Sequence, residues 1–308
     1  MRININCFNL LYYEDLRNFP SQLKLFDEDG IPLIRIYGKV VYNPTTVALF
    51  TLSSLQHYLL GSRADVHIIA WEKGLNWLLS NGITTDKGYL LPLNFDHPPY
   101  KLKKGWISAM TQGLAVSCFV RAYLLTKDEL FLKFAYEASK PLMIDVKLGG
   151  VAYRDQSGIW LEEAPPSSHI LNGFIYAILG LFDLFSITKD SRVQHFLETV
   201  ILTLKKNIKK YDNGYWSLYQ LSPPLIAPLD YHLLHIHQLF VLYKITDIDV
   251  FKEYAIRFYL YKENKHNLLK SRIHGNILSL KRWIKTLRLH AFHYMTLQTR
   301  EIIYNKIT

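Results

Sequence analysis

Apolar residues recur along this chain in long stretches at helical spacing, separated by short polar junctions. Three junctions resemble one another: Ala122-Tyr-Leu-Leu-Thr-Lys-Asp-Glu-Leu-Phe131, Leu181-Phe-Asp-Leu-Phe-Ser-Ile-Thr-Lys-Asp190 and Phe240-Val-Leu-Tyr-Lys-Ile-Thr-Asp-Ile-Asp249. Each ends one apolar helix, turns, and starts another. Thr126, Thr188 and Thr246 lie about 60 residues apart, and Gly61-Ser-Arg-Ala-Asp65 fills the fourth slot upstream. Thr, Ser and Asp there are the expected N-caps, because their oxygens accept the orphan N–H groups of a helix start. The pattern predicts helices over roughly 45–61, 63–81, 108–125, 127–146, 168–187, 189–210, 231–246 and 247–262. These make four antiparallel pairs. A helix pair repeated at this period closes into a ring or stacks as a solenoid, so the expected fold is all-α, an (α/α) toroid.

Short aromatic β-like runs separate the pairs: Gly88-Tyr-Leu-Leu-Pro-Leu93, Gly150-Val-Ala-Tyr-Arg154 with Gly158-Ile-Trp-Leu161, and Gly214-Tyr-Trp-Ser-Leu-Tyr219. In a closed ring they become β-hairpins lining one rim. That places Tyr89, Tyr153, Trp160, Glu162, Glu163, Tyr219 and Tyr231 at one mouth. The expected organisation is an N-terminal extension with rim strands over 1–44, the toroid over 45–262, and a tail over 263–308. In the tail, Leu280, Trp283, Ile284, Leu287 and Ala291 form an apolar stripe among Lys281, Arg282, Lys285 and Arg288. Such a basic amphipathic helix suits an anionic membrane surface, a partner in a biosynthetic complex, or the outside of the ring.

The net charge of +10 sits mainly in that tail, where residues 261–308 hold ten Lys/Arg against two acids. The body has no excess to hold a polyanion broadly, although Lys101, Lys103 and Lys104 offer a local anion contact. No nucleic-acid motif, Gly-rich phosphate loop or Ser-His-Asp arrangement is visible, so no nucleic-acid partner and no cofactor are expected. Cys7 and Cys118 are the only cysteines, which argues against a disulfide scaffold or a thiolate metal site. His232, His235 and His237 cannot share one helical face, so no metal is expected there. The start of the sequence has no signal-peptide pattern, and no uninterrupted apolar window reaches about 18 residues. The expected location is the cytoplasm, with peripheral contact at the inner membrane through the tail. The 21 Tyr, 16 Phe and 6 Trp fit a core and also a groove for an extended ligand.

Two segments concentrate chemistry where loops meet helices: Trp160-Leu-Glu-Glu-Ala-Pro-Pro-Ser-Ser-His-Ile-Leu-Asn-Gly-Phe174 and Leu229-Asp-Tyr-His-Leu-Leu-His-Ile-His-Gln-Leu239. With Gly105-Trp-Ile-Ser-Ala-Met-Thr-Gln-Gly113, Val120-Arg-Ala-Tyr-Leu-Leu-Thr-Lys-Asp128, Gly180-Leu-Phe-Asp-Leu184, Tyr211-Asp212 and Tyr219, they run in order over about 150 residues. Over this span the chain resembles the C-terminal catalytic region of D-glucuronyl C5-epimerases, which convert glucuronate to iduronate in heparosan-type polysaccharides. Fewer than 45 residues precede the first helix, too few for that family's large N-terminal β region.

The resemblance implies removal of the C5 proton, α to a uronate carboxylate, and return of a proton to the opposite face. It puts Glu163 and Tyr231 in those two roles, with Tyr219 assisting, and an acidic, glucuronate-containing polysaccharide as the partner. A tyrosine acting as base needs a depressed pKa, which His232 and His235 would supply if charged. Glu162, Arg154, Gln112, Asn172 and Trp160, with the same two histidines, are the expected substrate contacts. Arg121 is expected to be structural. Two positions depart from the family: Ala164 where it carries Tyr after the paired acids, and Ser222 where it carries Arg after the tyrosine matching Tyr219. The competing readings are a uronate lyase, which follows the same proton abstraction with elimination, and a glycan-binding homologue impaired in catalysis. A homodimer follows the family's habit.

Overall fold

The computed structural model describes residues 3–61 and 63–274. Its eight long helices are α1 (Pro44–Leu59), α2 (Ala64–Ser80), α3 (Ala109–Thr126), α4 (Glu129–Met143), α5 (Leu171–Thr188), α6 (Ser191–Asn207), α7 (Leu229–Thr246) and α8 (Asp249–Glu263). Odd-numbered helices form the inner layer, α3 packing on α1 and α5, and α5 on α7; each even-numbered helix packs outside its predecessor. The chain is thus an all-α (α/α) toroid of four antiparallel pairs. Burial follows the layers: α3 and α5 are buried almost all round, whereas α4 and α6 bury one face. By length and composition α5 is apolar enough to cross a membrane, contrary to the expectation that no segment is, yet 89% of its window is buried inside the protein. It is the central core helix.

The repeated junction carries the expected Asp caps at two of its helix starts, but its threonines do not cap a helix start. Thr126, Thr188 and Thr246 end their helices, each hydroxyl donating to the carbonyl four residues back. Lys127, Lys189 and Asp247 then take left-handed backbone, which reverses the chain. The caps of α4 and α6 are Asp128 and Asp190, which accept from Leu130 N at 2.9 Å and Arg192 N at 2.8 Å. The α8 start has no side-chain cap.

Three hairpins separate the pairs: β4 (Ile83–Thr85) with β5 (Gly88–Leu90), β6 (Ala152–Asp155) with β7 (Gly158–Leu161), and β8 (Leu218–Leu221) with β9 (Pro224–Ile226). The strands β1 (Leu25–Phe26), β2 (Pro32–Ile36) and β3 (Lys39–Val41) form a separate antiparallel sheet. Residues 265–274 continue as helix after α8, and the amphipathic stripe at 280–291 lies outside the described residues.

Two features lock the inner layer. A Cβ on Gly113 would stand 2.6 Å from Ala177 Cα, and one on Gly180 would stand 2.3 Å from Gly113 O, so α3 and α5 meet backbone to backbone. Two turns beyond Gly113, Arg121 forms a fully buried ion pair with Asp183 at 2.6 Å. Its remaining donors reach Ser117 O, Leu10 O and Asn9 O, and Tyr13 donates to Asp183. The N-terminal segment is therefore part of the core, tied to α1 through Gln56 and Ser53 and to α7 through Asn4 and His237.

Gly180→Ala should lower stability by about 1–3 kcal/mol through overpacking. Asp183→Asn should cost about 3 kcal/mol or more, because it strands a buried guanidinium. Urea unfolding reads both, and an unmoved midpoint in either variant contradicts the account of this crossing.

Candidate functional site

The site is built on the loop between β7 and α5. Glu162 is fully buried, its backbone held by Val151 O and Ala109 N. Its carboxylate accepts from Ser168 Oγ at 3.0 Å and His169 N at 2.9 Å, and stands 2.6 Å from His169 Nδ1. His169 stacks on Trp160, and its carbonyl accepts from Tyr211. This clasp draws residues 163–168 into a closed loop and leaves Glu163 facing the first turn of α5. A Cβ on Gly173 would stand 2.1 Å from Glu163 Oε2, so only glycine admits the carboxyl there.

The second half comes from the third hairpin. Ile170 bridges to Gln220, and Ser168 O accepts from Ser222 N, which draws β8 against the α5 entrance. Tyr219 on β8 then donates to Glu163 Oε1 at 3.4 Å, and Asn172 Nδ2 lies 3.4 Å from Glu163 Oε2. From the first turn of α7, Tyr231 packs edge-on against Tyr219 with ring centroids 4.9 Å apart, and its side is 38% exposed. Glu163, Tyr219, Tyr231 and Asn172 therefore converge at one open mouth.

Burial pushes the Glu163 carboxyl up to about 7; the Tyr219 hydrogen bond opposes this, and the charge of Glu162 adds to it. Burial and the Glu163 charge together raise both the Tyr219 and Tyr231 phenols. The expected depression of Tyr231 by imidazole is thus overturned. Burial holds His232 down at about 4 and His235 at about 3, so both rings are neutral near pH 7 and lend no positive charge.

Other expected contacts are engaged elsewhere. Gln112 is fully buried, joining Tyr89 O, Ala138 O and Leu91 N, so it ties the first hairpin to α4. Tyr89 is buried as well, donating to the end of α2 rather than lining the rim. Trp160 is buried with its indole N–H on Ser157. Arg154 donates to Met143 O and pairs with Asp145 at 3.7 Å. His232 stacks on Trp216, shares Ser217 Oγ with His235, and stands 2.9 Å from Phe258 O. His237 is turned away, onto Tyr13 O. Among the described residues no group of His, Cys, Asp or Glu is arranged to hold a metal ion.

Three groups escaped sequence reasoning. Tyr100 donates to Gln220, next to Tyr219. Tyr176 donates to Glu14, which arrives from the N-terminal segment. Tyr176 stands four residues after Asn172 on one face of α5, a spacing that could have marked it; nothing in the sequence around Glu14 marks that residue.

Residues 85–259 match the sequence profile of the D-glucuronyl C5-epimerase C-terminus family. The chain belongs to this family. It is 32% identical over 231 residues to a D-glucuronyl C5-epimerase of Caenorhabditis elegans, a match covering 67% of this chain and 37% of that protein. It is 30% identical over 171 residues to an uncharacterized protein of Methanocaldococcus jannaschii, covering 52% of this chain and 54% of that one. The chain thus spans about half or less of the length of these relatives. A glycoside hydrolase family 76 α-mannanase of Bacteroides thetaiotaomicron superposes with a TM-score of 0.50 at 15% identity, over 82% of this chain and 70% of that one. That likeness is one of fold. The epimerase-family match contains Glu163, Asn172, Tyr219 and Tyr231 and leaves out Glu14.

A carboxyl raised from 4.5 to about 7 on folding contributes stability that is present below pH 4.5 and lost as pH rises through 7. Glu163→Gln should therefore match the parent near pH 4.5 and become more stable above it, by up to about 3 kcal/mol beyond pH 7. Thermal midpoints of the two proteins across pH 4.5–8 check this; a constant difference would mean that the carboxyl titrates normally.

Proposed function

We propose that this chain is a polysaccharide uronate C5-epimerase converting D-glucuronate to L-iduronate residues, with Glu163 and Tyr231 as its proton-transferring pair. The observation that carries the reading is a half-buried carboxyl poised near neutrality, with two phenols of raised pKa beside it at an open mouth. Family membership supports the same chemistry.

The proton at C5 is weakly acidic, so the site must both accept it and hold the charge that develops on the uronate carboxyl. Glu163, ionised, takes the proton, and the C–H electron pair passes into an enolate. The Asn172 amide and the phenol O–H groups are donors toward that charge. Tyr231 then delivers its proton to the opposite face of C5, which inverts the centre. The site is left with a protonated Glu163 and a Tyr231 phenolate. Tyr219, in contact with both, returns the proton from carboxyl to phenolate. The raised phenols suit donors, not resting bases. Arg154, committed to Asp145 and Met143 O, is not assigned to the substrate carboxylate. Ser222 in place of the family's Arg leaves that charge to neutral donors.

Proton NMR of heparosan and N-sulfated heparosan incubated with the protein in D2O tests the reading. Loss of the H5 signal with new iduronate resonances is the expected outcome. Glu163→Gln should slow exchange from glucuronate at least about 100-fold. Tyr231→Phe should retain slow H5 exchange while forming no iduronate, because abstraction survives and delivery to the other face does not. The parent's kcat/KM should rise with pH through about 7, and the raised phenols put its fall above pH 10. Unsaturated C4–C5 products would assign a lyase instead, and binding without exchange would assign a glycan-binding homologue.

A further inference from the structure

On the uronate reading the substrate is a polyanion, yet the mouth that receives it is short of positive charge. The charges of Glu163 and Asp230 both act on Tyr231. His232 and His235 are neutral near pH 7, and Arg154 is paired with Asp145. Attraction for an acidic polymer therefore has to come from a neighbouring surface. One such surface is clamped to the mouth. Residues 93–106 form a loop closed at its base, where Leu93 N donates to Trp106 O at 2.7 Å, and again where His97 bridges to Leu102. The tip of the loop, Pro98–Tyr100, lies on the third hairpin. Tyr100 donates to Gln220 and is close enough to Tyr219 to raise that phenol. Gln220 is itself fixed, its Nε2 donating to Pro223 O at 3.0 Å.

Lys101 takes left-handed backbone just after this contact and turns the chain back. Lys101, Lys103 and Lys104 all follow within four residues of Tyr100, so their Cα atoms lie within about 15 Å of its own. All three are exposed. Among the described residues Lys101 and Lys104 make no ion pair, and Lys103 meets Asp96 only at 3.9 Å with its side chain 87% exposed. Asp96 is the one acid of the loop, and it also accepts from Lys104 N at 2.9 Å. The loop thus holds three lysines against one carboxylate. The chain's charge of +10, less the +8 of residues 261–308, leaves only +2 for everything before, so this concentration is local. Lysine suits a polymer whose anions vary in position, because its ammonium is a point charge on a flexible stem.

We propose that the loop carrying Lys101, Lys103 and Lys104 binds anionic groups on the sugars flanking the reacting uronate, and so draws an acidic polymer to the Glu163 mouth. The assignment rests on the uronate epimerase reading of that mouth. The anion is a uronate carboxylate or an N-sulfate, which are alike in the charge that lysine meets.

The test compares the parent with a variant carrying Lys101→Gln, Lys103→Gln and Lys104→Gln together. Calorimetry measures binding of N-acetylated and N-sulfated heparosan hexasaccharides, with H5 exchange followed alongside. The variant should bind the hexasaccharides at least about threefold more weakly at low salt, the loss expected for three exposed ion pairs. That difference should vanish near 1 M salt, where the screening length falls to about 3 Å. The loss should fall on KM rather than on exchange at saturating sugar. An N-acetylated trisaccharide with a central glucuronate carries no flanking anion and should bind both proteins alike. Equal losses for the two hexasaccharides assign the contact to carboxylate, and a larger loss for the N-sulfated one assigns it to sulfate as well. Thermal midpoints establish that the variant is folded, and if it is not, Lys101→Gln decides alone. Unchanged hexasaccharide affinities, or an equal loss with the trisaccharide, would overturn the proposal while leaving the epimerase reading intact. A parent that binds without exchanging protons would overturn that reading, and the affinities would still judge the loop. A parent that binds none of these sugars would overturn both.

Discussion

The backbone contact between α3 and α5 is the constraint from which the site follows. Gly113 and Gly180 let two buried helices approach more closely than any side chain allows, and this brings Arg121 and Asp183 into a pair sealed from water. Burying both charges is expensive unless every donor is used. The guanidinium is satisfied by the carboxylate, by Ser117 O, Leu10 O and Asn9 O, and by the rings of Phe8, Tyr12 and Tyr13 around it. The N-terminal segment is therefore what completes the ion pair. That requirement fixes where residues 8–14 run, and it sets Glu14 against Tyr176. The same helix presents Gly173 to Glu163 one turn earlier, so one packing decision positions both carboxyls.

Glu162 and Glu163 show how environment separates neighbouring identical groups. Glu162 is fully buried, yet its two oxygens receive two donors and a close imidazole, so its charge is spent inside the loop. Glu163 has contacts of only 3.4 Å from Tyr219 and Asn172, and it faces its neighbour's charge. The first acts as a clasp. The second keeps an incompletely satisfied carboxyl near neutrality, which is the condition of a general base.

What the sequence discloses depends on whether a feature is periodic. Helix pairing was legible because its signal, apolar spacing interrupted by Thr-Lys-Asp, is local and repeats; the helix spans follow it within a few residues. The hairpins were legible from glycine and aromatic runs. Capping was read correctly for Asp and wrongly for Thr, because both suit a helix start, and only the backbone shows that Thr closes one helix and Asp opens the next. Proximity to a motif overstated Gln112, Glu162, Trp160, His232 and His235. A polar side chain beside a site serves equally well as internal scaffolding, and burial decides between the two. Glu14 was illegible for the opposite reason: it gains its meaning from Tyr176, 162 residues away.

The departure from the family's cation near Tyr219 changes how the site can be poised. With neutral imidazoles and no guanidinium at position 222, burial and the Glu163 charge keep the phenols raised, and the carboxyl at about 7 gives up its proton before they do. Carboxyl and phenols titrate as a coupled set, and its stable resting form is carboxylate with neutral phenols. Under the proposed reaction, that form meets a ring whose C5 proton faces Glu163. A ring of the opposite configuration needs the carboxyl protonated and a phenolate beside it, a state far less populated. Since equilibrium between the two sugars is beyond the protein's influence, the proposed reaction fixes the ratio of kcat/KM in the two directions, and this asymmetry falls on how each is divided between kcat and KM. A site with a strong cation over the phenols would lessen the asymmetry by stabilising the phenolate. Under the proposed reaction, Ser222 in place of that cation therefore leaves carboxylate with neutral phenols as the state that waits for substrate.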